Sequence, residues 1–187
     1  VQQRLPDGCR FAFDPVVASC RRGLCTAESR AGCSLRRSMP QFSTKRRVRH
    51  AATDMFDLVA DVEKYPQFVP LCSGLTVKSR AEKDGKTVLV ADMTVAYKII
   101  RETFTSRVTL DRQGLKILVE YLNGPFKRMQ NRWTFYPVEA KICDVEFFID
   151  YEFRSRTLAV LMGAMFDAAF RRFAVAFEQR ADEIYGR

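Results

Sequence analysis

The stretch CDVEFFIDYEFRSRTLAVLMGAMFDAAFRRFAVAFEQR, residues 143–180, changes its period partway along. Up to Phe153 the residues alternate. Cys143, Val145, Phe147, Ile149, Tyr151 and Phe153 share one side; Asp144, Glu146, Asp150 and Glu152 share the other, with Phe148 as the exception. Alternation this strict describes a strand with one buried and one wet face. From Thr157 the apolar spacing becomes three and four: Leu158, Leu161, Met162, Met165, Phe166, Ala169, Phe170, Phe173, Phe177 and Ile184, with Arg171, Arg172 and Arg180 opposite. That spacing predicts a long amphipathic helix, capped by Ser155 or Thr157 and stopped at Gly186.

Upstream, the period-2 pattern repeats. Residues 41–49 alternate, with Phe42, Thr44, Arg46 and Val48 on one side. AATDMFDLVADV then reads as a helix opened by Ala52 or Thr53, with Asp54 suited to its first turn and Met55, Phe56, Leu58, Val59 and Val62 as its apolar face. Pro66 is expected to end this helix or a second short one, because a proline disfavours helical geometry at Tyr65. Further strands follow in KTVLVADMTVAYK, RETFTSRVTL, LKILVEYL and NRWTFYP, with short turns at 82–86, 111–114, 123–126 and 137–140. Short turns in series make an antiparallel meander. On its wet face Arg101, Arg107 and Arg132 are expected opposite acids of neighbouring strands.

The order is one strand, one or two short helices, six strands and one long helix. It predicts an α+β fold, a curved antiparallel sheet of about seven strands wrapped on the C-terminal helix. The apolar face of the sheet must be covered, and the helix is the only element large enough to do it. A strongly curved sheet and a straight helix do not mate perfectly, which leaves space for a ligand between them.

The chain has 187 residues, 47% of them apolar, which is enough for a real core. No apolar run approaches the ~18–20 residues of a membrane-spanning helix, so a soluble or peripheral protein is expected. The net charge of +9 is unevenly placed. Residues 1–38 hold seven arginines, three acids and four of the six cysteines (Cys9, Cys20, Cys25, Cys33), with no sustained period. They read as an N-terminal extension outside the domain at 39–187. It is either disordered, a transit peptide (though cysteine-rich and without an amphipathic helix), or spurious sequence translated upstream of a true start at Met39; the last is preferred. The domain itself is mildly basic, with a cluster at Lys45, Arg46, Arg47 and Arg49 that reads first as a charged strand edge. Its two scattered cysteines, Cys72 and Cys143, suit a reducing compartment.

Catalytic patterns are missing from the sequence. The single histidine, His50, reads as a surface residue or one at the start of the helix. There is no Gly-rich phosphate loop, CxxC pair or His-rich metal pattern. Acid pairs on the wet face read as salt-bridge partners. Neither an enzyme nor a metal centre is expected. The apolar inventory says more: fifteen phenylalanines, with Met93, Met129, Met162 and Met165, suit an adaptable apolar cavity.

DVEKYPQFVPLC, residues 61–72, is too apolar for an ordinary loop and too proline-rich for a helix. It is expected at one end of the cavity, with Phe68, Val69 and Leu71 at the mouth and Pro66 and Pro70 stiffening it. The competing reading is a plain hydrophobic plug. Candidate ligand contacts are thus Tyr65, Pro66, Phe68, Val69, Pro70 and Leu71 on this segment. The strands add Met93, Tyr97, Phe104, Trp133, Phe147 and Tyr151, and the helix adds Met162, Met165, Phe166 and Phe170.

MFDLVADVEKYPQFVPLC, RETFTSRV, GPFKRMQNRWTF and DYEFRSRTL together resemble the coenzyme-Q-binding START-like family, also called polyketide cyclase/dehydrase (SRPBCC), whose bacterial members are often labelled ribosome-association toxins. The resemblance covers about residues 39–187. It implies a helix-grip fold and binding of ubiquinone or a similar polyprenyl quinone, in support of respiratory electron transport or quinone biosynthesis. Ubiquinone would be a bound ligand, with no cofactor implied, and the family offers no catalytic residues to carry over. On this reading the tail lies between sheet and helix and the head group near the mouth. The protein is cytoplasmic, with peripheral contact at a bacterial inner membrane through basic residues, and DNA is not a partner. The alternative is a ribosome-binding module, with Lys45, Arg46, Arg47 and Arg49 on RNA phosphates. An enzyme of cyclase type is a third reading, carried by fold analogy alone.

Overall fold

The computed structural model describes residues 41–97 and 99–186; within the last helix, the side chains of 161–167 lie outside the described set. The expected extension at 1–38 also lies outside the described residues. The elements are β1 (Gln41–Val48), α1 (Ala52–Ala60), a 3₁₀ helix (Val62–Gln67), β2 (Cys72–Lys83), β3 (Lys86–Tyr97), β4 (Ile100–Asp111), β5 (Lys116–Asn123), β6 (Phe126–Glu139), β7 (Ile142–Phe153) and α2 (Arg156–Tyr185). All seven strands form one antiparallel sheet in the order β1-β7-β6-β5-β4-β3-β2.

β7 buries every second residue from Cys143 to Phe153, so its alternation is a true inner and outer face. β6 answers it in register: Trp133 pairs with Phe147, Asn131 with Ile149 and Met129 with Tyr151. Register shifts between Cys72 and Gly74, Thr105 and Ser106, and Phe126 and Arg128 bend the strands, since an extra residue on one side of a pair increases local twist. Gly124 permits one such bend. It has φ 135°, and a Cβ there would lie 2.7 Å from Phe104 Cβ and 2.9 Å from Phe104 Cα. The Asp84–Gly85 turn between β2 and β3 has positive φ at both residues, 52° and 71°, the twist that matches a hairpin.

The helices cover the concave face. α1 buries Ala52, Met55, Phe56, Leu58 and Val59, with Phe56 edge-on to Phe135 at 5.9 Å. α2 spans 30 residues and is capped by Ser155, whose hydroxyl accepts from the Leu158 N–H. Gly186 closes it with positive φ, its N–H donating to the Asp182 carbonyl. Phe170 packs on Phe42, Phe147 and Tyr151, and Phe177 on Trp133, Tyr65 and Phe68. Burying such a side chain stabilises by ~1.5–3 kcal/mol. These rings therefore fix where the C-terminal half of α2 lies on the sheet.

Three local expectations are corrected. Pro66 lies inside the 3₁₀ helix instead of ending one. In so short a helix few N–H groups have internal partners, so the proline's missing donor costs little. The β6–β7 turn falls at residues 140–141, because β6 runs on through Glu139. On the wet face Arg107 does sit opposite Glu120, 3.9 Å away. Arg132, however, faces Phe148 and lies over its ring at 5.4 Å, and Arg101 faces Ala96. Phe148, the one break in the alternation of β7, is thus covered by a guanidinium.

Candidate ligand cavity

Between sheet and helix lies a cavity with a free volume of about 120 Å³. Its wall on the helical side is Val59, Val62, Tyr65, Val69 and Leu71, closed by Ala169, Phe170, Phe173 and Phe177 of α2. The sheet supplies Leu75, Ala91, Met93, Val95, Phe104, Val108, Ile117, Val119, Phe126, Met129, Trp133, Phe147, Ile149 and Tyr151, together with two small polar side chains, Ser106 and Asn131. Strand parity makes this wall: each of these residues occupies an inward position. The free space is smaller than the ~300–1,000 Å³ that encloses a whole drug-sized ligand. A long apolar chain therefore requires side chains to repack, which unbranched Met93 and Met129 do readily.

Of the residues expected to touch a ligand, the structure brings together Tyr65, Val69, Leu71, Met93, Phe104, Trp133, Phe147, Tyr151 and Phe170. Four are placed elsewhere. Pro66 is exposed and Pro70 stands outside the lining. Phe68 is half-buried behind the wall, edge-on to Tyr65 and Phe177, with the Arg180 guanidinium over its ring at 5.8 Å. Tyr97 ends β3 and is 37% exposed. A 3₁₀ helix that ends at Gln67, and the irregular turn after it, decide which of residues 65–70 face inward. Met162, Met165 and Phe166 lie outside the described side chains. The sequence reading missed Ser106 and Asn131, although the parity that placed Phe104, Val108 and Trp133 places them as well.

The segment before β2 is held firmly. The Tyr65 hydroxyl donates to the Val59 carbonyl at 2.5 Å, and burial pushes its phenol far above the ordinary range. Leu71 has φ 66°, and its carbonyl accepts from the Ala96 N–H at 2.9 Å, tying the segment to β3. Reactive groups are quiet. Burial pushes the thiols of Cys72 and Cys143 up to about 11, so both stay protonated near neutral pH and neither is an activated nucleophile. His50 is buried and bonded to Asp182, away from the cavity lining.

Outside, the basic strand β1 is largely spoken for. Lys45 and Arg47 meet Asp144 at 3.5 and 2.8 Å, and Arg46 meets Glu178 at 2.8 Å. Arg49 is exposed. At the end of the sheet where α2 begins, Ile99 (99%) and Val160 (82%) stand almost fully in solvent. No helix among the described residues is long and apolar enough to cross a membrane.

A curved seven-stranded sheet closed by a long C-terminal helix over an apolar cavity is the helix-grip, START-like fold. The chain belongs to the polyketide cyclase / dehydrase and lipid transport family, whose model matches residues 48–178. It is 35% identical over 147 residues to the ribosome association toxin RatA of Escherichia coli, covering 79% of this chain and 90% of that protein. It is 27% identical over 150 residues to the mitochondrial coenzyme Q-binding protein COQ10 homolog B of Xenopus laevis, covering 79% of this chain and 60% of that one. The solution structure of an 18 kDa protein from Caulobacter crescentus superposes with a TM-score of 0.67 at 32% identity, over 80% of this chain and all of the other.

Proposed function

We propose that this protein binds ubiquinone or a related polyprenyl quinone in the sheet–helix cavity and serves respiratory electron transport or quinone biosynthesis as a lipid-binding carrier. The observation that carries this reading is the cavity itself, whose described lining is apolar and aromatic except for Ser106 and Asn131. Each buried CH₂ contributes ~0.8 kcal/mol, so a polyprenyl tail needs no charged anchor. The likeness to a coenzyme Q-binding relative supports the choice of ligand. Binding, not catalysis, is the role: both buried thiols are held protonated and the one histidine is engaged in the packing of α2. The protein works in the cytoplasm and touches a membrane at the end carrying Ile99 and Val160, where an apolar ligand is collected.

Lipid extraction of the natively purified protein, followed by mass spectrometry, tests this. Bound quinone is expected, and added ubiquinone should quench Trp133, which lines the cavity. Absence of both sinks the reading.

The likeness to RatA supports a second reading, contact with the ribosome. Its obvious surface is β1, yet Lys45, Arg46 and Arg47 already have acidic partners. Reversing the charge of Arg46 and Arg47 decides it: loss of co-sedimentation with large subunits supports this reading, and unchanged sedimentation removes β1 from it.

A further inference from the structure

Two polar atoms on the concave face have no partner: the Tyr121 hydroxyl and Asn131 Oδ1, both buried. The register places them together. Tyr121 on β5 is the pair of Ser106 on β4, and Asn131 on β6 is the pair of Val119, two residues from Tyr121 on the same face. Diagonal neighbours of this kind lie ~7–8 Å apart, within reach of long side chains. Ser106, 5% exposed, and Asn131 line the cavity, and the Tyr121 ring packs edge-on against Phe126 of the same lining at 5.7 Å.

A buried donor or acceptor left unpaired is destabilising, so natural interiors seldom carry two in one place. The other described lining residues are apolar or aromatic, and none of them hydrogen-bonds to either atom. We infer that Ser106, Tyr121 and Asn131 form a recognition patch for the oxygens of a ring-bearing amphiphile, which enters head first, its ring against the middle of the sheet and its tail in the apolar remainder of the cavity. This reverses the orientation expected from the sequence, and it rests on the quinone reading above. The chemistry suits both redox forms of such a head. The Tyr121 and Ser106 hydroxyls and the Asn131 amide N–H donate to a carbonyl oxygen, while Asn131 Oδ1 accepts from a ring hydroxyl.

The test compares decylubiquinone with decylbenzene, which has a ring and tail but no oxygens. Each is offered in vesicles to the wild type, Asn131→Leu, Tyr121→Phe and the double variant, and the amount retained is measured by mass spectrometry. The double variant should lose about tenfold or more in decylubiquinone retention, the equivalent of one to two lost hydrogen bonds, and keep decylbenzene within about twofold. Thermal melting of the ligand-free variants should stay level or rise, because an orphaned group has been removed. Undiminished decylubiquinone retention, or equal loss of both compounds, overturns the patch while leaving an apolar cavity ligand in place. Failure of the wild type to retain either compound overturns the quinone reading and the patch with it.

Discussion

His50 Nε2 lies 2.8 Å from Asp182 Oδ1, and the imidazole is almost wholly buried. The only histidine of the chain thus joins the end of β1 to the last turns of α2, with the Tyr185 ring 6.3 Å away. His50→Ala should destabilise the protein by ~1–3 kcal/mol, the cost of a broken buried hydrogen bond. His50→Gln, which keeps a donor, should cost less. Urea unfolding measures both.

Two glycines with positive φ should differ in how much stability an alanine costs. Gly85 has open space around its missing side chain, so Gly85→Ala should cost only the ~1–2 kcal/mol of left-handed backbone. Gly124→Ala adds a collision with the Phe104 backbone and should cost ~1–3 kcal/mol more. Equal losses in denaturant unfolding would refute the close approach of β4 to the β5–β6 turn.

Leu71 and Leu75 are both half-buried and both line the cavity, yet only Leu71 has positive φ. Asparagine tolerates that conformation better than leucine. Leu71→Asn should therefore lose less stability than Leu75→Asn, by ~1 kcal/mol. Parallel melts with matched unfolding enthalpies decide it.

Filling the cavity should separate binding from folding. Val119→Phe adds volume beside Asn131, the residue paired with it. It is expected to hold stability within ~1–2 kcal/mol, as cavity-filling changes commonly do, and to abolish quinone retention. A variant that folds and still retains quinone would place the ligand elsewhere.

Acid should weaken the outer face of the sheet. The Asp144 carboxyl is held below its ordinary 3.8, first by the hydrogen bond from Arg47; burial opposes this, and the charges of Arg47 and Lys45 reinforce it. Asp92 is lowered by hydrogen bonds from Lys78 and Thr105, and Asp111 by the Gly114 N–H and Lys86. A depressed folded value means the contribution is complete above the unfolded value and fades as pH falls through the folded one. Asp144→Asn should flatten the pH dependence of stability below about pH 4. Because the pairs are exposed, the difference from wild type should shrink in about 1 M salt.

The sequence showed most plainly what periodicity controls. β7 was legible residue by residue because one of its faces is buried along its whole length, and α2 because its apolar face spans many turns. The residues around Tyr65 were not, since a six-residue 3₁₀ helix is too short to display a period, and Phe68 and Pro70 were assigned to a wall they do not form. Of the two readings of His50, the helix entry matches its place just before α1, but its burial does not show in sequence, because its partner lies 132 positions away. Ser106 and Asn131 were passed over because a search for apolar positions discards a polar residue even when its parity points inward.

The pairing of β1 with β7 sets a condition on synthesis. Gln41 finds Asp150, and Val48 finds Cys143, only after the whole meander between them has been made. At ~5–20 residues per second, the first strand waits roughly 5–20 s for its partner to leave the ribosome. During that time Phe42 has neither Phe147 nor Phe170 to pack on. The nascent domain therefore passes through a stage with an unsealed apolar surface. Shielding by a chaperone, or slow translation after residue 123, should influence the yield of folded protein more than any single contact in the finished sheet.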